Sequence, residues 1–340
     1  MQLSLSSIIT SCKHLLLLCS LSAVATQANA AVSWETINPN IQFLKQENKL
    51  RFYDSNQVLI EGDECALLVD ASGNFAAVEQ LANDLKKRLK TPLCYLVATH
   101  YHDDHLLGMA VMQHFYPDAK LIVHQQVDKN FSVYQKAFND QLDSYEKSIE
   151  LSYQRLANIP KEEQPQWRAK LDLAKKRLFR WHEYQLNAPK ITISKTKQLD
   201  LGGFKVTLEP HKAHTNGDLT ISTNNGSILI GGDAVDWLPY PGHGELESWQ
   251  ALLQQYINDD KLTLIIPGHG GTLNKSQLKQ PLSFLTAMTE HVKNNKEQTI
   301  DQLMLSFPEE VMKPYREESL SAKSSNLFLQ SGLARAKSTQ

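Results

Sequence analysis

The segment Thr99-His100-Tyr101-His102-Asp103-Asp104-His105 constrains this chain more than any other. Three imidazoles and a carboxylate, on His100, His102, Asp104 and His105, crowd into six residues directly after the apolar run that begins at Cys94. That run has the length and composition of a buried strand. Side chains that follow such a strand emerge where a sheet ends, the usual place for an α/β site. Neutral imidazole and carboxylate are nitrogen and oxygen donors that zinc prefers. The pattern therefore requires a tight strand-to-helix turn whose donors converge on one small volume, and it points to a metal.

Three further donors stand in comparable places. His214 lies in His214-Thr215-Asn216-Gly217-Asp218, ahead of a strand predicted at 219–223. Asp233 ends the run Ile228-Leu229-Ile230-Gly231-Gly232, and His269 sits in Pro267-Gly268-His269-Gly270 after a strand at 262–266. Each is weak alone, since a lone loop histidine is more often hydrogen-bonded than a ligand. Their shared position at strand ends makes the joint signal much stronger.

Strands alternating with helices over the two halves of the chain predict a layered α/β fold. Residues 125–190 interrupt that rhythm. Apolar positions from Val127 to Leu156, then from Trp167 to Trp181, recur every three or four residues on either side of Pro160 and Pro165. They predict an inserted antiparallel helical hairpin. Its stripes pack on each other and on the body, overhang the site, or support a homodimer. The last segment, 321–340, reads as a polar, frayed tail.

Residues 1–30 carry a secretory leader pattern: Lys13 and His14, a leucine run, then Ala28-Asn29-Ala30 as the cleavage site. The expected mature protein begins at residue 31 and is periplasmic or secreted. The apolar run is far shorter than the ~20 residues a span needs, so no stable membrane anchor is expected. Cys65 and Cys94 open two apolar runs that are in step. If those runs are adjacent parallel strands, the cysteines are neighbours at their bases. An oxidising compartment permits a disulfide there; two unbonded buried cysteines are the alternative. With 35 basic and 37 acidic residues the chain has no cationic excess, so nucleic acid is not an expected partner. A small-molecule substrate is.

From about residue 41 to residue 275 the chain resembles the metallo-β-lactamase superfamily, with a ligand set similar to that of glyoxalase II. The resemblance implies a four-layer αββα sandwich, a domain over 31–320 carrying the helical insertion, and a two-metal site at one edge of the sheets. It implies that His100, His102 and His214 hold one metal, that Asp104, His105 and His269 hold the other, and that Asp233 bridges. It also implies zinc, two ions, although iron or manganese suits the same donors. Asp70 ends its strand where the family often carries an acid that orients a ligand imidazole; a local turn cap is the other reading.

The implied activity is metal-dependent hydrolysis of a small-molecule ester, lactone, thioester or amide, β-lactams included. Asp104 would act catalytically, orienting the attacking water and passing its proton on. Trp237, Tyr240 and His243, on the loop after Asp233, are candidate substrate contacts. The sequence departs from the quorum-signal lactonases, which carry a tyrosine where this chain has Asp236. Phosphodiester or sulfate-ester hydrolysis, a mononuclear iron persulfide dioxygenase, and a non-catalytic interaction protein are the alternatives.

Overall fold

Strands that are apolar on both sides need cover on both faces, and this chain provides it in four layers. A computed structural model describes residues 33–45, 54–318, 321–322 and 324–339. The leader expected at 1–30 lies outside the described residues. The first sheet contains β1 (Glu35–Asn38), β2 (Ile41–Leu44), β3 (Gln57–Glu61), β4 (Ala66–Val69), β5 (Leu93–Val97), β6 (Lys120–His124) and β7 (Ile191–Ile193), in that spatial order. Pairing is antiparallel from β1 to β4 and parallel from β4 to β7.

The second sheet runs in the order β12 (Leu264–Pro267), β11 (Ile228–Gly232), β10 (Asp218–Thr223), β9 (Lys205–His211) and β8 (Lys197–Asp200). Only β11 and β12 are parallel. The parallel strands match the apolar runs in the sequence. The outer strands β1 and β8 escape it, because most of their residues face solvent and show no apolar alternation.

Side-chain alternation along β4 sorts the core. Leu67 and Val69 join Val97 and Ile122 against Leu208, Leu219, Ile221 and Ile230 of the second sheet. Leu68 faces the other way, with Leu96 and Leu121, under helices α1 (Phe75–Arg88), α2 (Asp103–Leu106) and α3 (Met109–Phe115). The outer face of the second sheet is covered by α7 (Leu246–Asn258) and α8 (Lys279–Asn294), through Trp249, Leu253, Phe284 and Met288. Cys65 and Cys94, at the bases of β4 and β5, form a disulfide.

After α4 (Gln125–Lys129) comes the hairpin of α5 (Phe131–Arg155) and α6 (Gln164–Trp181). Its stripes pack on each other and on the body: Phe138 and Trp181 lie 5.3 and 5.6 Å from the Phe75 ring. Glu79 of α1 accepts hydrogen bonds from the Arg180 guanidinium and from the Tyr184 hydroxyl at 2.6 Å, which ties the hairpin down. Among the described residues no helix is long and apolar enough to cross a membrane.

The expectation of a polar, frayed tail at 321–340 is corrected by the structure. Beyond α9 (Ile300–Ser306) and α10 (Glu309–Glu317), residues Ser325–Ser338 form α11. This helix buries Phe328, Leu329, Leu333 and Ala336 in the core beside α8. Its buried face also uses Ser325 and Gly332, and a Cβ at Gly332 would collide with the Met288 sulfur. Small residues let the helix approach closely but carry little hydropathy signal, so the sequence reads as more polar than the packed face is.

Candidate metal centre

Each candidate donor leaves the end of a strand or a loop beside one. Asp70 follows β4, His100 to His105 follow β5, Asp233 follows β11 and His269 follows β12; His214 lies between β9 and β10. Glycine makes the close approach possible: a Cβ on Gly232, at φ +51°, would sit 2.6 Å from the Thr99 hydroxyl, and one on Gly268 would overlap the Asp233 carboxylate. The Asn56 amide donates to the Pro267 and Gly270 carbonyls at 2.8 and 3.0 Å and holds the His269 turn. Asp218 fixes the His214 loop by accepting from the Ala213 and Thr215 amides at 3.0 and 2.9 Å.

The donors fall into two groups. His100, His102, His214 and Asp233 offer ligand atoms within 4.8 Å of one another, and so do Asp104, His105 and His269. Asp233 stands between the groups with one oxygen toward each. Its Oδ2 lies 3.5 Å from His214 Nε2, and its Oδ1 lies 3.1 Å from His105 Nε2 and 3.4 Å from His269 Nε2. Asp104 Oδ2 is 3.3 Å from His269 Nε2.

The outer nitrogens decide what these donors can bind. His105 Nδ1 donates to Asp70 Oδ2 at 2.8 Å. The same carboxylate accepts the Thr99 amide and hydroxyl at 2.7 and 2.9 Å, and that hydroxyl is 3.1 Å from His100 Nδ1. His214 Nδ1 donates to the Tyr240 carbonyl at 3.0 Å, and His102 Nε2 is 2.8 Å from His243 Nδ1. With those nitrogens held, His100, His105 and His214 turn Nε2, and His102 turns Nδ1, toward the centre, the arrangement in which outer partners orient metal ligands. His100 Nε2 is buried with no hydrogen-bond partner, and Asp233 Oδ1 is buried with only the His105 and His269 nitrogens facing it. Buried polar atoms rarely stay unpaired, and metal ions at this point would satisfy both. The residues fit a two-metal site.

Electrostatics separates the groups. Burial holds His100 and His214 well below the usual imidazole range and His102 at about 4, so these are neutral donors. In the second group burial is outweighed. The Asp233, Asp104 and Asp70 carboxylates hold His105 well above its ordinary value, and Asp233 with Asp236 raises His269 to about 10. A metal entering the second group therefore displaces protons.

Asp70 is at once the strand-end turn residue, with φ 60°, and the partner of His105. Replacing it by Asn keeps an oxygen for the Thr99 amide but removes the anion facing His105. The expected result of Asp70→Asn is a roughly 10–100-fold loss of metal affinity in chelator competition, with the fold retained. Unchanged affinity would reduce Asp70 to a turn cap.

The centre forms the floor of a cleft of about 550 Å³. Tyr240 and His243, two of the candidate substrate contacts, line it, and each also supports a donor. Trp237 does not: it packs 5.9 Å from the Tyr315 ring against the outer core, beside buried Leu238. That corrects the expectation, and the reason is the turn of the loop, which points Trp237 toward α10 while Tyr240 faces the centre. The sequence reading noted Asp236 only as a departure from the lactonases and missed that its Oδ1 accepts the His269 amide at 3.0 Å; it also missed the cleft residues Tyr101, Tyr134 and Phe328. The signal for Tyr101 lay inside the histidine motif itself.

The sequence profile described as the metallo-beta-lactamase superfamily matches residues 50–269. The chain belongs to that superfamily. Its centre is accordingly that of a metal-dependent hydrolase. The acyl-coenzyme A thioesterase MBLAC2 of Homo sapiens is 24% identical over 247 residues, covering 67% of this chain and 78% of that protein. Among solved structures, the DIM-1 metallo-beta-lactamase has 17% identity and a TM-score of 0.51, covering 76% of this chain and 98% of its own. The stereoselective inverting sec-alkylsulfatase Pisa1 from Pseudomonas sp. has 15% identity and a TM-score of 0.56, covering 89% and 50%. Both share the metallo-β-lactamase fold with this chain.

Proposed function

We propose that this chain is an exported two-zinc hydrolase that cleaves small-molecule esters or thioesters, with lactones and amides, β-lactams included, in the same reaction class. The observation that carries the reading is the convergence of seven donors on the floor of an open cleft, four imidazoles among them held by outer partners. Zinc suits three neutral imidazoles with a carboxylate. The thioesterase named among the relatives supports acyl transfer to water over phosphoryl chemistry. Export is supported by the leader pattern and by the Cys65–Cys94 disulfide.

Held by His100, His102, His214, Asp104, His105, His269 and Asp233, zinc would supply Lewis acidity and would lower a water's pKa from 15.7 towards ~7. The protein's own groups do the rest. Asp104 lines the cleft, and although burial opposes it, His105 and His269 hold its carboxyl below the ordinary range and so ionised. An ionised carboxylate there orients the attacking water and takes its proton. The water oxygen adds to the acyl carbon as its proton passes to Asp104, the acyl–oxygen or acyl–sulfur bond then breaks, and that proton goes to the leaving alcohol or thiol. No serine or cysteine nucleophile is needed; both cysteines of the described chain are bonded at the far ends of their strands.

Residues 31–340, purified without chelator or His tag, are expected to carry about two equivalents of zinc by elemental analysis. They should hydrolyse esters or thioesters in a panel that also holds a lactone, a β-lactam, a phosphodiester and a sulfate ester. A single iron, or turnover confined to phosphodiesters or sulfates, would overturn the reading.

A further inference from the structure

The walls of the cleft come from two segments that lie outside the metal-bearing strands. One is the first turns of α5, which present Val133, Tyr134 and Ala137; the other is the start of α11, which presents Leu327, Phe328 and Ser331. Both triplets have the spacing i, i+1, i+4, which places three side chains on one helix face. Both hold a large aliphatic, an aromatic and a small residue in the same order. Val133 is 60% and Leu327 51% exposed, and what marks them is that they face one cleft together with Tyr134, Ala137 and Phe328 and so form a contiguous apolar patch.

The aromatic members connect the walls to the floor. Tyr134 stacks on Tyr101 with centroids 5.3 Å apart and planes at 14°, and Tyr101 packs edge-on against His102 at 5.1 Å. On the other side Phe328 packs edge-on against Tyr240 at 5.0 Å, and Tyr240 lies 6.1 Å from His102. An apolar path therefore reaches the donors from both helices. The small residues, Ala137 and Ser331, leave room between the rings.

The charges of the cleft are equally informative. Its lining contains Asp103 beside the metal donors, and no Lys or Arg among the described residues. Arg335, behind His243, is engaged by the Gly244 carbonyl at 2.8 Å and the Glu245 carboxylate at 3.2 Å. Among the described residues that line the cleft, only the metal centre would receive an anionic group, and Asp103 disfavours a substrate bearing phosphates or sulfates away from the scissile bond.

We infer that the facing turns of α5 and α11 form a subsite for an apolar acyl chain, and that the substrate is a neutral ester or thioester carrying one. This rests on the hydrolase reading and narrows it. Tyr134, Ala137, Phe328 and Ser331 are its specificity-determining residues.

The test is a chain-length series on the zinc-loaded protein: p-nitrophenyl acetate, butyrate and octanoate. A fully buried methylene raises kcat/KM about fourfold, from its transfer free energy. An octanoyl ester with half of its added chain covered is then favoured over acetyl by roughly 50-fold. Ala137→Trp on one wall and Ser331→Phe on the other should each lower that octanoyl-to-acetyl ratio at least about tenfold, through the overpacking a large side chain imposes. Thermal melts identify any variant that fails to fold, and the opposite wall then carries the test. A neutral octanoyl thioester should be preferred to octanoyl-coenzyme A.

Binding supplies a second readout that needs no turnover. By calorimetry, octanamide should bind the wild type at least about tenfold more tightly than butanamide, and Ala137→Trp should remove the difference. A flat chain-length profile, equal affinities for the two amides, or a preference for the coenzyme A thioester would overturn the inference. Failure to hydrolyse any ester while octanamide still binds selectively would instead sink the hydrolase reading and leave the subsite standing.

Discussion

Asp104→Ala is expected to lower kcat by roughly 10²–10⁴-fold, the range that a positioned proton-transfer group contributes, while the melting temperature stays within a few degrees. The two halves of that expectation come from different atoms. The Asp104 carboxylate faces His269 and His105 and lines the cleft. What the residue gives the fold is its backbone, whose carbonyl accepts the Ser55 hydroxyl at 2.6 Å. Alanine keeps that carbonyl and removes the acid. Asp104→Asn separates its two tasks, because the amide keeps an oxygen facing the metal group but cannot take a proton. The Asn variant should therefore retain more zinc than the Ala variant and still lose most turnover. Stopped-flow kinetics paired with elemental analysis on the same samples reads both quantities. Turnover that survives in the Ala variant would refute the assigned role, and turnover restored in the Asn variant would reduce Asp104 to a ligand.

The parts of this site that were legible in the sequence share a physical property. His100, His102, Asp104 and His105 lie within six residues on one strand-to-helix turn, so backbone geometry alone forces them together. Asp233 and His269 follow glycine at the ends of apolar runs, and the close packing of those glycines explains why the runs end as they do. Asp70 was legible by its place at the end of β4, but its contact with His105 spans 35 positions and needs the parallel pairing of β4 and β5 to exist. The cleft walls were not legible. Tyr134 and Phe328 come from helices nearly two hundred positions apart in the chain, and no local period reports that two helix faces will meet over a third element. Trp237 was misplaced for a related reason: a loop punctuated by Pro239, Pro241 and Gly242 has no period that decides which side chain faces in.

The C-terminal helix provides the largest expected effect on stability. Deleting residues 319–340 removes Phe328, Leu329 and Leu333, each at most 4% exposed, from the core over the second sheet. Burying a side chain of this size is worth about 1.5–3 kcal/mol, so the three together approach the ~5–15 kcal/mol by which a whole protein is stable. The truncated chain should lose its cooperative thermal transition or aggregate, since the surfaces of α8 and of the Tyr240 loop would stand open. A solvated tail would instead leave the melt unchanged. Leu333→Ala gives the graded version. Leu333 is fully buried and is absent from the cleft lining, so the substitution should destabilise by about 2–5 kcal/mol through transfer and cavity terms. Differential scanning calorimetry should show a fall of roughly 5–10 °C. Because the cleft face of α11 is untouched, kcat measured well below the transition should hold near its original value. If turnover falls in step with stability, the helix holds the donors themselves and not only the wall above them, through the hydrogen bonds of Arg335 to the loop that carries His243.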